Sequence, residues 1–244
     1  MCENRTMRRV AWFSCGAASA VAAKLANPDV IAYCDTGAEH KDNGRFLGDC
    51  EKWFGQEVII LKSEEYQDTW DVWEKRKYIA GIAGAPCTGI LKREVREKFQ
   101  RPDDVHIFGY TLEEQSRADL FTSNWPELSV EFPLIERSLN KQAALQMVLN
   151  AGIAIPLVYD LGFEHANCIP CPKATSPDYW ALVRKEFPDE FSRMVELSRR
   201  LGARLTRVKG KRVFIDEIPE DWPTRQPMQP ACDFLCEIAE QEFS

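Results

Sequence analysis

Four short runs, residues 9–15, 30–36, 57–62 and 105–110, are apolar and rich in strand-forming residues, and helical stretches separate several of them. That alternation constrains the fold more than any other feature of the chain. Parallel neighbours cannot be joined by a tight turn and need a crossover helix, so the pattern predicts an α/β fold. The expected form is a doubly wound, mostly parallel sheet with flanking helices. Between the second and third runs, Phe46, Leu47, Cys50, Trp53 and Phe54 recur at helical spacing and form one apolar stripe against the sheet, which makes Cys50 a core residue. Residues 128–134 read as a further strand. Asn140 then caps a helix that carries Leu145, Val148 and Leu149 and ends at Gly152.

The C-terminal third reads as helical, with a small hairpin. Pro188 cannot continue a helix but suits the start of one, so residues 176–186 and 189–201 are expected as two helices. Residues 204–208 and 212–218 flank Lys209-Gly210, a turn in which glycine accepts positive φ, and read as a β-hairpin. Pro219, Pro223, Pro227 and Pro230 mark a connector to a final segment, 231–244, that could move over a site. The expected division is an α/β domain over 1–175 and a helical and hairpin extension over 176–244, packed on the same domain. The chain has no internal repeat.

At 244 residues and 45% hydrophobic content the chain can bury a full core. It holds no run of the ~18 to 20 apolar residues that a membrane span needs and no signal-peptide pattern at its start, so a cytoplasmic location is expected. In that compartment its nine cysteines are thiols, and clustered ones call for metal, cluster or redox chemistry. The net charge of −7 argues against a surface wrapped by nucleic acid. The densest basic stretch is Arg199, Arg200, Arg204, Arg207, Lys209, Lys211 and Arg212. It reads as a solvated helix end and hairpin, with a polynucleotide surface as the alternative.

The first strand runs into Ser14-Cys15-Gly16-Ala17-Ala18-Ser19, a small-residue turn expected to lead into a helix over 21–25. Amides at such a helix start suit a phosphate or sulfate, although similar turns also serve only to pack a helix on a strand. The second strand ends in Asp35-Thr36-Gly37, at the same carboxyl edge of the sheet, where open α/β folds bind ligands. Asp35 is read either as a ligand contact or as the cap of the turn that follows it.

Taken together, these segments resemble the phosphoadenosine phosphosulfate (PAPS) reductase family within the PP-loop superfamily of adenine-nucleotide α-hydrolases. SCGAAS resembles the family's Ser-x-Gly-x-x-Ser loop, and CDTGAEH its Asp-Thr-Gly motif. FGYTLEEQSRADLF, residues 108–121, resembles the Gly-x-x-x-x-Glu-x-x-Arg segment. The run 133–174, ending in IPLVYDLGFEHANCIPCPKA, is the most specific match, and the likeness covers about residues 9–236. The resemblance implies a PP-loop fold and an adenine nucleotide (PAPS, APS or ATP). Its anionic groups would lie on Ser14, Cys15, Gly16, Ala17, Ala18 and Ser19, and its base near the ends of the first two strands. Asp35, Thr36, Gly37, Gly109 and Arg117 complete the implied site, with Lys92 and Arg93 as anion partners. Ala18 stands where ATP-cleaving relatives carry Asp, which turns the reading away from Mg-ATP pyrophosphatase chemistry.

Cys168-Ile169-Pro170-Cys171 is a C-x-x-C whose spacing suits two ligands of one metal ion or two corners of an iron–sulfur cluster. Cys87, followed by Lys92, resembles the family's cluster-side cysteine. A 4Fe-4S cluster is expected on Cys87, Cys168 and Cys171, with Cys232, Cys236, His165 or a substrate as the fourth ligand. Zinc and uncoordinated thiols are the alternatives. Cys15 and Cys34 read as packing residues.

In the tail, Cys232 stands where sulfonucleotide reductases carry a catalytic cysteine, with Cys236 as a second thiol. The family's Glu-Cys-Gly-Leu/Ile-His motif is replaced here by Ala-Cys-Asp, and Asp233 would raise rather than lower the thiol pKa. The resulting expectation is an oxidoreductase that reduces PAPS or APS with a thioredoxin-like reductant. Two alternatives remain: an iron–sulfur sulfurtransferase acting on nucleic acid, and a nucleotide-sensing zinc protein. The sequence leaves the oligomeric state open, a homodimer included.

Overall fold

The computed structural model describes residues 7–228. Five parallel strands, β1 (Arg9–Phe13), β2 (Val30–Cys34), β3 (Val58–Leu61), β4 (Val105–Phe108) and β5 (Ser129–Glu131), form one sheet in the order β3-β2-β1-β4-β5. The order reverses at β1, whose neighbours are β2 on one side and β4 on the other. The strands stop earlier than their apolar runs suggest. Ser14, Asp35 and Thr36 therefore lie in loops at the carboxyl edge instead of inside the ladder.

Helix α1 (Ala17–Ala26) begins four residues before the expected start, because Gly16 takes the extended N-cap conformation and alanines fill the first turn. It packs against β1, β4 and the helix Lys141–Asn150. Its small side chains let β4 come very close. A Cβ on Gly109 would stand 2.5 Å from the Ser19 Cα and 2.7 Å from its amide nitrogen, so the position excludes any side chain. Helix α2 (Asn43–Phe54) buries Phe46 and Cys50 as its periodicity predicts. Helix α3 (Thr69–Arg76) is capped by Asp68, which accepts the Asp71 N–H at 2.7 Å.

Residues 86–99 form one helical segment with a π-helical stretch, Gly89–Arg93, at its centre. Such bulges re-aim side chains, here Lys92 and Arg93. The expected strand over 128–134 is cut short at Glu131, because Pro133 opens a helical turn, Pro133–Glu136. Pro188 separates Pro177–Glu186 from Pro188–Arg200 by starting the second helix. The hairpin pairs β6 (Thr206–Val208) with β7 (Lys211–Val213) across Lys209 and Gly210, both at positive φ (48° and 79°). Its second arm is shorter than expected and gives way to a 3-10 turn, Ile215–Glu217.

One apolar core joins the sheet, its helices and the C-terminal region. Phe46, Trp73, Leu145, Tyr159, Trp180 and Ile215 are fully buried in it. Two charges of the basic stretch are spent on carboxylates: Arg199 on Asp216 and Glu217, and Arg200 on Glu74. No helix among the described residues is long and apolar enough to cross a membrane. The segment 231–244, with Cys232 and Cys236, lies outside the described residues, as does Cys2.

Candidate functional site

A cavity of about 750 Å³ opens at the carboxyl ends of β1, β2 and β4, where the strand order reverses. The crevice at such a switch point is where crossover loops diverge and leave room for a ligand. Of the expected nucleotide contacts, Ser14, Gly16, Ala18, Ser19, Thr36, Lys92, Gly109 and Arg117 stand on its wall. Cys15, Ala17, Asp35 and Gly37 do not. The Cys15 backbone takes φ +53° and its thiol is buried in the core, where desolvation pushes its pKa up. Asp35 accepts the Gly37 N–H at 2.9 Å and pairs with Lys62 at 2.8 Å, so it closes its own turn. Gly37 adopts φ +67°, and its open side faces the Gln67 carbonyl.

The two serines of the loop are bound to each other. The Ser14 N–H and hydroxyl both donate to Ser19 Oγ at 3.0 Å, and Ser19 donates onward to the Gly16 carbonyl at 2.9 Å. These bonds fix the turn and consume the Ser14 and Ser19 hydroxyl protons. The Ala17 N–H, first of the α1 amides, donates to Tyr159 Oη at 3.3 Å.

Six cationic side chains line the cavity, namely Lys92, Arg93, Arg96, Arg117, Lys141 and Lys173, against one carboxylate, Glu114. Arg117 is engaged with Glu114 and lies over the Tyr110 ring. Arg96 lies over Phe108 and Phe121, with its Nε buried and unpaired. Desolvation lowers its pKa. Desolvation also acts to lower Lys92, but the Glu39 carboxylate and, at alkaline pH, the thiolates of Cys168, Cys171 and Cys34 outweigh it and raise its pKa. His165 is pushed down to about 4, chiefly by desolvation and then by Lys141, and is neutral at pH 7. Neither Tyr159, Lys141 nor Arg96 was legible as a site residue. Tyr159 sits inside the quoted PLVYDLGF run, but nothing in its residue type or spacing separates it from a core tyrosine.

Cys34, Cys87, Cys168 and Cys171 also reach the cavity. The Cys168 Sγ lies 2.9 Å from Thr36 Oγ1 and 3.7 Å from Glu39 Oε1. Burial pushes Cys168 up to about 12 and Cys34 up to about 11, and raises Cys87 as well. These thiols are protonated at neutral pH. Among the described residues, no three Cys, His, Asp or Glu side chains converge as a metal-ligating group. Cys87, Cys168 and Cys171 all line the cavity without forming such a group, and Cys232, named as a fourth ligand, lies outside the described residues.

No protein-family model matches the chain. An uncharacterized protein of Methanocaldococcus jannaschii is 27% identical over 219 residues, which cover 83% of this chain. The match spans half the length of that relative. The crystal structure of a phosphoadenylyl-sulfate (PAPS) reductase from Candida auris, a phosphate complex, superposes with a TM-score of 0.52 at 10% identity, over 67% of this chain and 82% of that one. With its five-stranded parallel sheet, flanking helices, helical C-terminal region and small hairpin, the chain has a PAPS reductase-like fold.

Proposed function

We propose that the cavity binds an adenine nucleotide and that the chain carries out thiol-dependent reduction of a sulfonucleotide. The observation that supports this best is the charge of the cavity wall, six cations against one carboxylate. PAPS and APS carry negative charge on both phosphate and sulfate, and a desolvated cationic cleft at a helix start selects such groups.

The chemistry needs a thiolate. It attacks the sulfate sulfur, forming an S–S bond while the S–O bond to phosphate breaks. The adenosine phosphate leaves with the electron pair, and a thiosulfonate remains on the cysteine. One thiol of a thioredoxin-like reductant then displaces sulfite, and its second thiol frees the cysteine, leaving the reductant as a disulfide. Burial holds Cys34, Cys87 and Cys168 protonated, and the nucleophile in this reading is Cys232, with Cys236 as its companion.

The test is anaerobic calorimetry with PAPS, APS and ATP, followed by sulfite measurement with a thioredoxin-like dithiol. Sulfite formed from a bound sulfonucleotide supports the reading. Nucleotide binding without sulfite removes the reductase step and keeps the nucleotide site. Absence of binding overturns both. Colour and metal content of anaerobically purified protein test the 4Fe-4S or zinc site expected on Cys87, Cys168, Cys171 and Cys232.

A further inference from the structure

We infer that Tyr159 and Lys141 complete the seat for the ligand's phosphate or sulfate at the start of α1, supplying the donors that the loop serines withhold. The inference rests on the reading that the anionic end of a nucleotide docks on loop 14–19.

Tyr159 is fully buried at the cavity wall. Two groups donate to that oxygen, the Ala17 N–H at 3.3 Å and the Lys141 ammonium at 3.3 Å. With both donors pointing in, the hydroxyl proton must point out, and no described residue accepts it. It stands hard against Gly16, where a Cβ would come within 3.1 Å of the oxygen. The phenol is therefore a donor without an acceptor among the described residues, beside the first turn of α1 at the cavity wall.

Lys141 supplies the charge. Its Nζ lies 4.8 Å from the centre of the Tyr159 ring, and it forms no ion pair among the described residues. Glu113 accepts the Lys141 backbone N–H at 3.1 Å and feels its charge without forming an ion pair with the ammonium. The amide that follows the N-cap Asn140 is thereby fixed while the ammonium is left for the cavity. Ser14 and Ser19, whose hydroxyl protons close the loop, can only accept further hydrogen bonds, which is the wrong sense for an oxyanion. An anion at this point meets the helix amides, one phenol proton and one ammonium, a donor set in which charge-assisted bonds carry the affinity.

The experiment titrates inorganic phosphate and, separately, adenosine into the wild-type chain, Tyr159→Phe and Lys141→Gln. Each substitution is expected to weaken phosphate binding by about tenfold, the loss of one hydrogen bond to an anion. Adenosine, which lacks the anion, should bind all three within about twofold. Phosphate affinity unchanged in both variants, or no phosphate binding by the wild type, overturns the inference. An equal loss for adenosine and phosphate also overturns it, because that marks a structural role. If phosphate binds as expected while adenosine does not bind the wild type, the nucleotide reading fails and the anion seat stands. Should Tyr159→Phe fail to fold, the Lys141→Gln series decides, since that side chain is only half-buried.

Discussion

The backbone N–H of Met228 donates to the carbonyl of Tyr159 at 3.1 Å, which lays the end of the described chain along a turn at the cavity wall. Arg225, three residues earlier, is clamped between Glu164 (2.6 Å) and Asp178. Its carbonyl comes so close to Gly162, at φ +102°, that a Cβ there would stand 2.7 Å away. Cys232 follows Met228 by four residues, a tether of at most about 14 Å. On the reading that Cys232 is the nucleophile, the Arg225 clamp sets where that tether starts. Arg225→Ala is expected to leave nucleotide affinity within about threefold and to slow sulfite release on the order of tenfold to a hundredfold, as misplacement of a reacting group does. Parallel stopped-flow and calorimetry separate the two effects, and unimpaired turnover would show that the tail needs no anchor.

Gly109 is where sheet and loop touch. With 2.5 Å to the Ser19 Cα, the Cβ of Gly109→Ala meets backbone that cannot step aside without moving the first turn of α1. Such overpacking costs about 1 to 3 kcal/mol, or about 2 to 10 °C in Tm for a chain of this size. On the reading that the amides of this turn bind the anion, phosphate affinity should fall together with Tm. A Gly109→Ala protein that melts and binds as the wild type does would mean that α1 is free to shift.

The layout of the sheet was legible because it rests on period and punctuation. Apolar runs, a helical stripe through Phe46 and Cys50, Pro188 and Lys209-Gly210 each act within a few residues. Strand ends were not, since the runs continue past Phe13 and Cys34 into loops that only tertiary packing terminates. The same limit governs the site. Loop 14–19 was visible as a small-residue turn, but the bonding of Ser14 to Ser19 and the turn of Asp35 towards Lys62 are fixed by side-chain geometry. Tyr159 meets Ala17 from 142 positions away along the chain, and Lys141 reaches the same phenol, contacts no local pattern encodes.

Burial sets the order in which the cysteines react. With Cys168 at about 12 and Cys34 at about 11, neither carries appreciable thiolate at pH 8. Brief alkylation of the native chain at that pH should leave both unmodified, while the denatured chain is labelled throughout, as peptide mass spectrometry would record. The sign for stability follows. The native Cys168 pKa lies above the unfolded value near 9, so its contribution is intact below pH 9 and lost as pH rises from 9 towards 12. Rapid labelling of Cys168 at pH 8 would mean that a cation or metal stabilises its thiolate, and would reopen the cluster reading.

His165 reports on the anion seat from beside it. Desolvation, Lys141 and Arg117 depress its pKa to about 4, against an unfolded value near 6.5. Between these limits the unfolded chain binds a proton that the native chain refuses, so stability rises as pH goes from 4 to 6.5 and is level above that. Because the ring is exposed on the cavity wall, solvent screening trims the effect to about 1 kcal/mol. His165→Gln should therefore flatten the Tm profile over this window by about 2 to 4 °C. An anion seated among the same cations acts in the opposite sense, since negative charge favours the imidazolium. Saturating adenosine 5′-phosphate should move the His165 titration, followed by NMR of the ring protons, up by about one pH unit or more. A titration near 4 that ignores the nucleotide would place the phosphate away from Lys141, and one near 6.5 in the free protein would mean that the ring is solvated and screened from the cavity cations.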